Sequence, residues 1–115
     1  MIVRELYAKE NNKLYLIDDV NVGEYLKIMD VSLPSLLEGA KHTLEKYDYS
    51  NNQNYTTFYI DCMSRVLLLK DNFQQELNLL NKNQKANGIV SFGEIANSGD
   101  SFLEVLNKTI VVAKW

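Results

Sequence analysis

The chain has 115 residues, 46% hydrophobic and 23% charged, with twelve basic against fifteen acidic residues and a net charge of −3. That is the size and make-up of one globular domain with a single core, and it lacks the basic surplus of a general nucleic-acid binder. The lone cysteine, Cys62, excludes an intrachain disulfide, and no stretch reads as a signal peptide or a transmembrane helix, so a cytoplasmic protein is expected. Residue usage rich in Asn, Lys, Ile, Leu and Tyr, with one proline, is what an AT-rich genome encodes. It points to a low-GC bacterium, its phage or a mobile element.

Ile2 to Ala8 mixes β-branched and aromatic residues and reads as a strand, Lys9 to Lys13 as a polar turn, and Leu14 to Ile17 as the returning strand. A two-stranded hairpin is marginal alone. Its expected partner is Thr109 to Ala113, the other strongly β-prone run, in an antiparallel sheet joining both chain ends. Asn21 and Glu24 have capping-box spacing before a short helix over Val22–Met29. Pro34 stands near the start of a second helix, Ser35 and Glu38 repeat the capping spacing, and Leu36, Leu37, Ala40, Leu44 and Tyr47 form its apolar face.

After a polar loop at Tyr49 to Asn54 comes the stretch on which the rest is expected to pack. Tyr55, Tyr59, Cys62, Val66, Leu69, Phe73, Leu77 and Leu80 recur in steps of three or four, with Asp61, Arg65, Asp71, Gln75 and Asn78 opposite. The spacing predicts a long central helix over residues 54–83, although Tyr55 to Ile60 would suit a strand as well. Gly88 is available for a left-handed turn behind it. Ser91 with Glu94 and Ser101 with Glu104 give two further capping boxes, opening short helices on either side of a turn at Asn97 to Asp100.

The expected fold is therefore a single α+β domain over residues 1–115. An antiparallel sheet, formed by the N-terminal hairpin and the C-terminal strand, packs on the long helix; a mostly α domain is the alternative. The paired capped segments at 21–38 and 91–104 resemble an internal repeat, and convergence on common capping chemistry explains them equally.

Val22 to Ala40 resembles a DNA-binding helix-turn-helix, with its turn at Met29 to Ser32. Ser32, Ser35 and Lys41 would then meet the DNA. Asp30 stands where glycine usually makes that turn, Leu26 where a small residue usually lets the helices approach, and the second helix offers no Arg, Asn or Gln for a bidentate base contact at Ser32 to Glu38. Glu38, His42 and Glu45 share a helix face but lack the further ligands that complete a metal site. Cys62 and His42 could pair as nucleophile and base, yet Cys62 falls on the apolar stripe, where a thiol is inert. Asp18 and Asp19 end a strand, and the glycines make no phosphate loop.

No cofactor, metal or catalytic group is expected, which leaves binding. Tyr47, Tyr49 and Tyr55 lie beside Ser and Asn, a composition favoured by binding surfaces, and Leu68 falls off the helical stripe as a further contact. The expectation is a small non-enzymatic protein-binding module, such as a stoichiometric inhibitor or an immunity or anti-defence protein. Its partner is another protein or a second copy of the chain, with no membrane and no nucleic acid; the helix-turn-helix regulator is the alternative.

Overall fold

The computed structural model describes residues 3–46, 56–82, 87–97 and 102–115. Its order is β1 (Leu6–Glu10), β2 (Lys13–Leu16), α1 (Leu33–Lys46), β3 (Thr57–Cys62), α2 (Met63–Leu69), α3 (Phe73–Leu80), β4 (Asn87–Ser91), β5 (Glu94–Ala96), β6 (Glu104–Leu106) and β7 (Ile110–Lys114). Among the described residues the architecture is α+β, with three small sheets. A three-stranded sheet runs in the order β4-β3-β7, while β1-β2 and β5-β6 are separate two-stranded sheets.

The predicted hairpin forms. Its turn places Asn11 at φ 51°, a left-handed conformation that Asn tolerates because its short polar side chain bonds locally. The predicted second helix forms as α1. Ser32 and Ser35 cap it reciprocally: the Ser32 N–H donates to Ser35 Oγ at 3.1 Å and the Ser35 N–H to Ser32 Oγ at 3.3 Å. The C-terminal strand forms as β7.

The long central helix does not form. Thr57–Cys62 is a strand, parallel to β4 on one side and antiparallel to β7 on the other. Thr57, Tyr59 and Asp61 are buried and alternate with half-buried Phe58 and Ile60, the two-residue period of a strand. The remainder is broken in two by a 3-10 turn at Lys70–Asn72, where Lys70 takes φ 49° and ψ −124°, a region no α-helix can pass through. The sheet is corrected as well. The C-terminal strand pairs with β3 instead of the hairpin, and the three-stranded sheet is mixed. A mostly α domain is excluded.

Three predicted helices are absent. Val22 to Met29 carries no regular structure, and residues 94–96 and 104–106 are strands. The residues of two expected capping boxes do touch: the Asn21 N–H donates to Glu24 Oε2 at 3.3 Å and Asn21 Nδ2 to Glu24 Oε1 at 2.9 Å, and Ser91 Oγ lies 3.2 Å from Glu94 Oε1. Only the first is the expected bond to a backbone N–H; the others join side chain to side chain, and no helix follows either turn. The repeat fails with it, since one half holds helix α1 and the other strands.

The core comprises Leu36 and Ala40 of α1, Tyr59 and Cys62 of β3, Leu69 of α2 and Leu80 of α3. The Tyr59 hydroxyl donates to the Leu80 carbonyl at 3.4 Å, fixing β3 to the end of α3. Gly88 is not a turn residue. It lets β4 close on β3, since a Cβ there would stand 2.3 Å from the Tyr59 carbonyl oxygen. Gly88→Ala is therefore expected to lower stability by about 1–3 kcal/mol, as overpacking does, read by urea unfolding. Lys70→Gly is expected to raise stability by roughly 1 kcal/mol, because glycine enters that backbone region without strain.

Candidate functional site

Four charged side chains are buried in the fold. Asp61, Arg65, Glu76 and Glu94 are each no more than 5% exposed. β3 delivers Asp61 and α2 delivers Arg65, four residues on. α3 brings Glu76 from beneath, and β5 brings Glu94. The Arg65 Nε donates to Glu76 Oε1 at 3.3 Å, and Nη2 donates both to Glu76 Oε2 and to the Leu36 carbonyl of α1, the latter at 3.0 Å. Nη1 donates to the Lys108 carbonyl at 3.3 Å, and Nε is 3.5 Å from Asp61 Oδ1. Glu94 accepts from the Thr109 hydroxyl at 2.6 Å.

One guanidinium meets two carboxylates, Asp61 and Glu76, and the charge of Glu94 also bears on Asp61, so one acid yields. Asp61 is that acid. Neither of its oxygens accepts a hydrogen bond, whereas a protonated Asp61 donates to Glu76. Its pKa is pushed up to about 7, first by burial, then by the charge of Glu76 and that hydrogen bond; Arg65 opposes the rise and Glu94 adds to it.

Above this cluster lies an open cleft of about 210 Å³, lined by Gly39, Ala40 and Thr43 of α1, Arg65, and Lys108, Thr109 and Ile110 ahead of and within β7. Lys108 takes φ 58°, and its ammonium donates to Glu5. Burial holds the Lys108 pKa below the usual lysine value. The N-terminal segment docks here: the Glu5 N–H donates to Asn107 Oδ1 at 3.2 Å, and Arg4 Nη1 to the Val105 carbonyl at 3.2 Å. Arg4 and Glu5, just ahead of the hairpin, thus contact the C-terminal region, while the hairpin strands share no ladder with it.

The residues expected to bind lie elsewhere. Tyr47, Tyr49 and Tyr55 fall outside the described residues. Leu68 is exposed on α2, beside exposed Leu67 and away from the cluster. Ser32 and Ser35 are spent on capping α1, and Lys41 is exposed with Glu45 as its ion partner at 3.9 Å. Without a helix over Val22–Met29 there is no helix-turn-helix. Cys62 is buried with Sγ 3.2 Å from Ser64 Oγ, while His42 stands exposed on α1. Among the described residues no group of His, Cys, Asp and Glu side chains is arranged to hold a metal ion, and none of the described helices is long and apolar enough to cross a membrane.

The FIST C domain matches residues 1–97. The chain belongs to this family. The matched FIST C residues span β1 to β5, all three helices, and the Asp61, Arg65, Glu76 and Glu94 cluster. The match marks the chain as a small sensor-type domain of signal transduction. No curated protein and no solved structure matches it significantly.

Sequence reasoning missed the cluster because it set Asp61 and Arg65 on a solvated helix face. The signal was there: they are the only charged residues between Tyr55 and Leu69, four apart in an otherwise apolar run.

Two outcomes follow. A folded Asp61 holds its proton between pH about 4 and 7 while the unfolded chain releases it, so stability falls as pH rises through that window. The full loss is on the order of 4 kcal/mol; Asp61→Asn is expected to flatten the pH profile of thermal melting. Arg65→Met, which leaves Glu76 buried without its cation, is expected to lose about 3–5 kcal/mol, and adding Glu76→Leu to recover most of it, in a denaturant double-mutant cycle.

Proposed function

We propose that this FIST C domain is a non-enzymatic sensor module that takes a small polar molecule into the cleft between α1 and the Lys108–Ile110 segment and passes the event to another protein. The observation that carries the reading is the position of Arg65, a residue that lines the cleft and whose guanidinium is the hub of the buried cluster. A ligand that alters the hydrogen bonding of Arg65 acts at once on α1, through the Leu36 carbonyl, and on α3, through Glu76. At about 210 Å³, the cleft lies below the roughly 300 Å³ at which sites for drug-sized ligands begin, so its occupant is small. Arg65 and Lys108 both have acidic partners already, which favours a ligand read by hydrogen bonds over a strongly charged anion.

In this reading the expected protein partner receives the output of the sensor. Neither the fold nor the family match supports an inhibitor or immunity factor, or a phage or mobile-element source.

The test is differential scanning fluorimetry against a panel of small carboxylates, amides and polyols. A ligand at a hundredfold excess over its Kd stabilises by about 2.7 kcal/mol, a rise in Tm on the order of 10 °C. Gly39→Leu is the control. A Cβ at Gly39 meets nothing within 4 Å, so the variant is expected to fold normally, fill the cleft and lose the response. A response that persists in Gly39→Leu would place the ligand elsewhere.

A further inference from the structure

The strands of the hairpin, β1 and β2, pair with each other, and Leu6, Tyr7 and Leu14 are exposed, as is Ile17 just beyond. A two-stranded hairpin is marginal alone, so its order depends on how it is fastened. Among the described residues, every hydrogen bond or ion pair from the hairpin and its lead-in to the rest of the fold comes from Arg4 or Glu5.

Their partners all lie within Val105–Lys108. Arg4 donates to the Val105 carbonyl, the Glu5 N–H to Asn107 Oδ1, and the Lys108 ammonium to the Glu5 carboxylate. The same two residues also hold the far end of the hairpin. Arg4 Nη2 is 3.3 Å from Asp18 Oδ2, and the Ile17 N–H donates to the Glu5 carbonyl at 2.9 Å. Both ends of the hairpin are thus gathered at one fastening.

The receiving segment runs into the wall of the cleft, which Lys108 and Thr109 line. The Lys108 carbonyl accepts from Arg65 Nη1 at 3.3 Å, and the Thr109 carbonyl from the Cys62 N–H at 3.1 Å. Lys108 itself takes φ 58°, a left-handed conformation that is costly for a residue with a Cβ and persists where neighbours hold it. Glu5 holds its side chain, and Arg65 its backbone.

We propose that the hairpin is a releasable clasp on the cleft wall. With Glu5 on Lys108 it is docked and ordered; when that pair parts, the hairpin loses order and the Asn107–Thr109 segment loosens with it. Burial disfavours the charge of Lys108, so its ammonium depends on the Glu5 carboxylate. A ligand whose contacts alter Lys108 or Thr109 shifts the same balance, and the link runs both ways. In the sensor reading the hairpin therefore carries the output, while the clasp itself stands on these contacts whatever the cleft takes.

The experiment takes the full chain without ligand and reads two rates: amide hydrogen exchange in β1 and β2, and labelling of Cys62 by an aromatic disulfide reagent. Cys62 is the only thiol and is buried against the Thr109 carbonyl, so its labelling reports loosening of the wall. Glu5→Gln and Lys108→Met are each expected to raise both rates at least about tenfold, with exchange in α3 unchanged. The double variant is expected to be no faster than the singles, since both remove one interaction. Lys108→Arg, which keeps the cation, is expected to stay close to wild type. Labelling is expected to be insensitive to urea below about 1 M, because a local opening exposes little surface. Three results would overturn the proposal: hairpin exchange unchanged in both single variants, faster hairpin exchange with Cys62 labelling unchanged, or labelling that rises with urea as steeply as global unfolding.

Discussion

A guanidinium enters a small core only where its N–H groups and its charge are answered inside it. Arg65 meets that demand by drawing on the whole fold: Glu76 from α3, Asp61 from β3, the Leu36 carbonyl from α1 and the Lys108 carbonyl from the approach to β7. These are the segments that would otherwise share only a handful of buried apolar side chains. The arrangement specifies how they meet more sharply than Leu36, Ala40, Leu69 and Leu80 could alone, because apolar contacts are non-directional and a guanidinium fork is not.

The same cluster leaves the molecule poised. Three buried carboxylates with one cation among them cannot all ionise, and the acid that gives way does so near neutrality. A proton on Asp61 and a ligand in the cleft would act on one common group, Arg65, so in the proposed reading each changes the affinity for the other by the same factor. A sensor built this way needs no moving lid. Its two inputs converge on hydrogen bonds already present between helices.

Where local chemistry decides the structure, the sequence could be read. Asn11 and Asn12 mark the hairpin, the serines around Pro34 mark the start of α1, and Ile110 to Ala113 mark a strand. Where the outcome depends on distant chain, it could not. Tyr55, Tyr59 and Cys62 fit a helical stripe as well as Thr57, Tyr59 and Asp61 fit a strand face, and only pairing with β4 and β7 separates the two. The break at Lys70 carries no glycine or proline to announce it. Asn21 with Glu24 and Ser91 with Glu94 touch mainly side chain to side chain, which holds a turn whether or not a helix follows, so their spacing could not by itself establish one. Of the site, Asp61 and Arg65 were visible as a pair, but their burial was not, since the apolar stripe was assigned to the opposite face.

β3, the central strand, takes both of its partners from later in the chain. β4 lies some way beyond it, and β7 is nearly at the other end, joined through pairs such as Thr57 with Lys114. Ladders of such separation form late, because chain entropy is lost before the contacts that reward it can appear. A nascent chain emerging from the ribosome can therefore complete α1, α2 and α3 while β3 still lacks its antiparallel neighbour. Through that interval Asp61, Arg65 and Glu76 are partly open to water and the edge of β3 that takes β7 is unpaired. The interval is when this domain is most exposed to misassociation, and it closes only as Ile110–Lys114 comes home.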